Sequence, residues 1–273
     1  VLSAPQETRF DLRFRAFGFP VRVSPWFWLG AVLLAPRMAH DLGGPLGPAP
    51  LLLWVGVVFV SILLHELGHA VVFRRYGTLS HIVLHGLGGL AIPDGQVGDP
   101  WRQIRVSLAG PAVNFAIGAL VWASDLQTGW SMRHELLALL YAFLYWANVG
   151  WGVFNLLPVW PLDGGQVCRQ LCYIGRVRQP VQTSLKISIW VAVGLAVLGV
   201  MFETNVGIDL VARLIAALPE WFPTGVLLMV IPGKYGIVFM LVLAFNCYQE
   251  LQALRRAGYG GYADDYGDRY PWQ

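Results

Sequence analysis

Residues 51–69 read LLLWVGVVFVSILLHELGH. Positions 51–64 are uncharged and almost wholly apolar, and the last five are His65, Glu66, Leu67, Gly68 and His69. A run of this kind reads as a helix within a bilayer, because about 20 consecutive apolar residues cross the hydrocarbon core. On a helix, positions 65 and 69 stand one turn apart on the same face. Two imidazoles so placed suit a divalent zinc ion, and the glutamate between them can take a proton from a water held by the metal. The placement points to a peptide bond at or inside the membrane as the substrate.

The rest of the chain agrees with a membrane setting. Of 273 residues, 56% are hydrophobic and 13% charged, about half the charge of an ordinary soluble domain. Mean hydropathy is positive. Twelve tryptophans and ten tyrosines suit the two membrane–water interfaces. A net charge of +3 gives no ground for a nucleic-acid partner. Cys168, Cys172 and Cys247 make no disulfide framework and read as small apolar residues. From the polar, basic start, with Arg9, Arg13 and Arg15, no cleavable signal peptide is expected.

The expected fold class is an all-α polytopic membrane protein of about six transmembrane helices, with a small β-hairpin next to the metal helix. The segments fall at 21–36, 50–73, 101–123, 135–157, 183–202 and 235–251. Residues 78–92 are too short and Gly-rich to span, and alternating Ile82, Leu84, Leu87 and Leu90 suggest the hairpin. Residues 206–218 read as an interfacial helix. In domain terms, 1–20 is a cytoplasmic N-terminal segment, 21–251 one transmembrane domain with its core at about 50–170, and 252–273 a flexible cytoplasmic tail.

Positive residues are enriched in cytoplasmic loops. With a cytoplasmic N-terminus and alternating sides, all 19 Lys and Arg face inward except Arg37, Arg133, Arg213 and Lys234. Both termini then lie in the cytoplasm and the metal motif lies near that face. The expected location is a multi-pass protein of a bacterial inner membrane, with the lipid bilayer as its first partner.

Two histidines do not complete a catalytic zinc site, which commonly has three protein ligands and an open position. His40 and His134 fall on the opposite side in this layout, and His81 and His85 lie in the hairpin, exposed or facing substrate. Asp163, in NLLPVWPLDGG at 155–165, follows the fourth segment on the correct side. A carboxylate at membrane depth is a functional candidate by default, although Asp-Gly is also a common turn pair. Pro158 and Pro161 break the helix there, and Gly164 and Gly165 permit close backbone approach.

HELGH at 65–69 and NLLPVWPLDGG at 155–165 together resemble the site-2 protease family of intramembrane zinc metalloproteases. SLAGPAVNF at 107–115 resembles its third signature and residues 86–91 its Gly-rich hairpin. The resemblance covers about 50–170 and implies one zinc per chain, held by His65, His69 and Asp163, with Glu66 as general base. It implies that Asn155 orients substrate or stabilises the tetrahedral oxyanion, with a helix cap as the alternative. Asn114 is a candidate for a similar polar contact with substrate, or for an interhelical packing contact. Gly86, Gly88 and Gly89 are candidates to present an edge strand to an unwound substrate. Gly110 and Pro111 read as packing and kinking residues.

From the short loops and brief tail, neither the PDZ domain nor the nucleotide-binding repeats of many relatives is expected, and Gln166 stands where a basic residue is common. The function expected is a zinc-dependent intramembrane endopeptidase. Its partners would be a membrane-protein substrate and a separate regulatory protein, and its setting regulated proteolysis. The rival reading is a non-catalytic scaffold or assembly subunit that keeps the fold, in which the intact Glu66 would have no use. A metal transporter would need more polar residues through the outer halves of the segments.

Overall fold

The structure is a computed structural model that describes residues 7–33, 35–36, 39, 46–86, 88–95, 98–204, 213 and 234–256. Strands β1 (Leu12–Ala16) and β2 (Phe19–Val23) are followed by helices α1 (Pro25–Leu33) and α2 (Ala49–Arg75). Strands β3 (Ser80–His85) and β4 (Gly88–Pro93) lead into α3 (Pro100–Thr128) and α4 (Glu135–Asn155). Helices α5 (Asp163–Ile174), α6 (Pro180–Phe202) and α7 (Lys234–Arg256) complete the order. The chain forms two compact units, residues 2–97 with 108–152 and residues 98–107 with 153–273.

Among the described residues five helices, α2, α3, α4, α6 and α7, are long and apolar enough to cross a membrane. At 1.5 Å per residue, the 27 residues of α2 reach about 40 Å. Large apolar side chains such as Leu120, Trp190 and Phe245 remain exposed on these helices, as lipid contact requires. The expected first segment, 21–36, instead divides between β2 and the nine-residue α1. Its apolar content is used to cover a sheet rather than to span. The expected interfacial helix at 206–218 lies outside the described residues except for Arg213, as do residues 257–273 of the tail; 252–256 belong to α7.

In the first unit the hairpin is part of a four-stranded sheet in the order β1-β2-β3-β4. β1 and β2 are antiparallel, as are β3 and β4, whereas β2 runs parallel to β3 with Val21 opposite Ile82 and Val23 opposite Leu84. Parallel neighbours need a crossover connection, and α1 and α2 lie within it. Alternation in β2 turns Phe19, Val21 and Val23 inward, where they meet Ile82 and Leu84 of β3 and Ile62, Leu67 and Ala70 of α2. Burying each larger apolar side chain contributes about 1.5–3 kcal/mol, so this face fixes the sheet against the metal helix. Arg74, in the last turn of α2, caps the arrangement: its guanidinium stacks over the Phe19 ring at 4.5 Å and donates to the Phe17 carbonyl.

Helix α4 changes from α to π geometry over Trp146–Gly150, where Trp151 N–H reaches back to the Trp146 carbonyl. In the second unit, α6 and α7 pack together around Ala192, Ala196, Met240, Leu243 and Ala244, and Val159 from the preceding loop joins them.

Candidate metal centre

His65, Glu66 and His69 lie in the C-terminal half of α2 and are 3%, 4% and 6% exposed. Ionisable groups this buried need specific partners. The two imidazoles turn toward each other, with Nε2 atoms 3.1 Å apart. Two zinc–nitrogen bonds of about 2.0–2.1 Å meeting near the tetrahedral angle span about 3.3 Å, so the pair fits one ion. His65 and His69 stand in the first unit and Asp163 in the second, and all three residues are buried.

Small residues make room for the rings. A Cβ at Gly110 in α3 would lie 2.6 Å from His65 Nε2 and 2.7 Å from His69 Cε1. Gly110 is therefore required by the imidazoles, more than the packing residue its sequence context suggests. Gly68 brings α2 against the α3 backbone, where a Cβ would lie 2.8 Å from the Ala109 carbonyl oxygen. Pro111, inside α3, cannot donate to the carbonyl one turn earlier.

β4 supplies the wall beside the general-base candidate. Gly89 faces Glu66, and a Cβ there would meet the carboxylate Oε1 at 2.5 Å. Gly88 begins the strand at φ +128, a conformation that side-chain-bearing residues rarely adopt. Gly86 lies in the turn against the Trp26 carbonyl of α1. Among the described residues β4 is the last strand of the sheet.

Asn114, a candidate for a substrate contact or an interhelical one, lies on α3. It is 0% exposed; its Oδ1 faces His65 Nδ1 and its Nδ2 donates to Asn148 Oδ1 at 2.9 Å. This is an interhelical contact that also touches a metal-ligand candidate. Sequence reading missed Asn148 and Ser61, which continue the same chain of bonds. A carboxamide within an apolar span was the available signal.

Asp163 opens α5, where a carboxylate complements the helix dipole. A cradle in its own unit holds the turn that carries it. Gly164 packs on the backbone of Leu156 and Leu157, and Gly165 on that of Val159 and Trp160, leaving no room for side chains. The Trp160–Pro161 peptide is cis. Trp160 N–H donates to Ser188 Oγ of α6 at 2.9 Å, and Cys247 Sγ of α7 bonds the Trp160 carbonyl at 3.2 Å. The Arg169 guanidinium covers the Trp160 ring at 3.6 Å. Asn155 is buried and ends α4. Gln166 accepts from Gln103 Nε2 at 3.4 Å.

The other histidines take structural places. His81 lies 3.5 Å from Asp94 and is half-exposed, while His134 accepts the Leu136 N–H at the start of α4. Burial, reinforced by the Arg22 guanidinium, holds the His85 imidazole below its ordinary range. His40 lies outside the described residues.

The model of Peptidase family M50 matches residues 54–130 and 124–201, more than half of the chain. The chain belongs to Peptidase family M50, the site-2 protease family, and zinc is the metal of its named relatives. A Mycobacterium tuberculosis protein named as a zinc metalloprotease, Rip3, is 33% identical over 57% of this chain and 42% of its own length. A zinc metalloprotease of Methanocaldococcus jannaschii is 35% identical over 42% of this chain and 33% of its own. A Synechocystis protein named as a zinc metalloprotease is 28% identical over 70% and 53%. The chain thus spans between a third and about half of these relatives. The solved site-2 protease from Methanocaldococcus jannaschii superposes with TM-score 0.51 over 89% of this chain and 95% of that one, at 24% identity, which shows a shared fold.

Proposed function

We propose that the chain is a zinc-dependent intramembrane endopeptidase that cleaves the transmembrane segment of single-span membrane proteins. The observation that carries the reading is the placement of Glu66 between two histidines whose Nε2 atoms approach to 3.1 Å on a buried face of an apolar helix. A structural helix gains nothing from three such groups in a low-dielectric setting. His65, His69 and Asp163 would hold the zinc, which when bound would supply Lewis acidity toward a water and the scissile carbonyl.

The protein's own groups do the rest. Glu66 accepts the proton of the attacking water and later delivers it to the leaving amine. Asn155 is assigned to orient the substrate or donate to the developing oxyanion. A helical substrate hides its carbonyls in its own hydrogen bonds and must unwind locally. The edge of β4 at Gly88 and Gly89, beside Glu66, suits main-chain pairing with the extended segment. The bias of basic residues supports cytoplasmic termini in a bacterial inner membrane, and regulated proteolysis with a separate regulatory protein fits the family.

Glu66→Gln is the test. In purified protein mixed with a candidate single-span substrate, cleavage should disappear while zinc content stays at the wild-type level. Undiminished cleavage by this variant would remove the mechanism.

A further inference from the structure

A chain of buried amides leads from His65, starting at the ring nitrogen that faces away from His69. His65 Nδ1 bonds Asn114 Oδ1, and Asn114 Nδ2 donates to Asn148 Oδ1 at 2.9 Å. Asn148 Nδ2 then donates to the Leu144 carbonyl at 2.8 Å and to Ser61 Oγ at 3.0 Å. Asn114 and Asn148 are 0% exposed, and Ser61 is 2%. Asn148 sits in the wide π turn of α4, where its side chain folds back on the carbonyl one turn earlier.

The direction of this chain is fixed at its far end. A carboxamide can turn by half a revolution and exchange its oxygen and nitrogen, so neighbouring amides alone leave the sense open. The Leu144 carbonyl can only accept, so it takes the Asn148 NH2 and leaves Asn148 Oδ1 facing Asn114. Asn114 must present its NH2 to that oxygen and its own Oδ1 to His65. An imidazole nitrogen facing an oxygen must carry the hydrogen, so His65 is protonated on Nδ1 and keeps the Nε2 lone pair. The Ser61 hydroxyl donates or accepts equally well and sets no direction. The lone pair so reserved lies on the nitrogen that approaches His69 Nε2.

We propose that Asn148, anchored on the Leu144 carbonyl, is a positioning residue that selects the metal-binding tautomer of His65 through Asn114. The proposal rests on the zinc reading above and adds a residue that touches neither metal nor substrate. Outer partners of ligating histidines commonly change metal affinity by about 10–100-fold when removed.

Asn148→Leu removes the anchor, after which the Asn114 amide is free to turn its NH2 toward His65. Asn114→Asp/Asn148→Leu restores the tautomer without the anchor, because a carboxylate only accepts. The ring nitrogens of His65 are read by 15N NMR in zinc-free protein with labelled histidine, assigned against His65→Gln. Zinc affinity is read by chelator competition. The wild type should show Nδ1 protonated. Asn148→Leu should lose that state and bind zinc about 10–100-fold more weakly, and the double variant should recover both. Asn148→Ala, run in parallel, keeps the comparison valid if leucine overpacks the site. An unchanged His65 ring in the single variants overturns the proposal. So does a loss that the double variant fails to repair, since Asn148 would then only pack helices. A wild type that binds no zinc would sink the zinc reading, while the ring-nitrogen comparison would still decide the role of Asn148.

Discussion

Gly89 of β4 and Glu66 of α2 are so close that a methyl group on the strand would sit 2.5 Å from the carboxylate Oε1. The strand therefore sets the wall of the space in which the glutamate moves. Gly89→Ala should push the carboxylate aside while leaving the histidines in place. A misplacement of about 1 Å can cost about 100-fold in rate, so turnover should fall by about that factor with zinc content preserved. Paired rate and metal measurements check it.

Gly110→Ala should act on the metal itself. Alanine in a helix interior ordinarily gains about 0.5–1 kcal/mol over glycine. Here the added Cβ would lie 2.6 Å from His65 Nε2, and the rings must move. Zinc affinity should drop by at least about tenfold, comparable to losing an outer-shell partner. Wild-type zinc affinity in this variant would show that the rings have another place to go.

Asp163→Ala tests the third ligand. Two imidazoles alone leave a catalytic zinc site one protein ligand short, so metal content after dialysis should fall well below one per chain. Adding zinc back should not restore cleavage. Full occupancy in this variant would assign the third position to another group.

His85 gives the sheet a pH response. Its imidazole is held below the ordinary value of 6.5 by burial and by Arg22. The unfolded chain therefore takes up this proton before the folded one does. The neutral ring's contribution to stability is complete above that ordinary value and is lost as pH falls through the folded one. Amide protection factors across 80–86 and 88–93, corrected for the intrinsic exchange rate at each pH, should be lower at about pH 5 than at about pH 7.5, and His85→Gln should flatten the difference.

The metal-ligand candidates were legible because metal chemistry imposes a spacing: one helical turn between the histidines, and a carboxylate after a Pro-interrupted helix end. The hairpin at 78–92 was legible from its glycines and alternation. The N-terminal strands were not. Phe19, Val21 and Val23 do alternate, but they run directly into the apolar stretch of α1, and Arg13 and Arg15 read as topological charge. Asn148 was illegible for a different reason. A lone carboxamide in a span announces that it has a partner, yet which partner depends on a local π turn that no pattern in the sequence marks.

The parallel pairing of β2 with β3 imposes an order on biosynthesis. β2 leaves the ribosome early, but its neighbour emerges only after the whole of α2 has been made, and β4 follows later still. Completion of the sheet must therefore await the translation of the helix that bears the two histidines. The glutamate acquires its glycine-lined neighbour among the last events of this region's assembly, so a nascent chain arrested earlier would carry the ligand pair without the enclosure that orients its base.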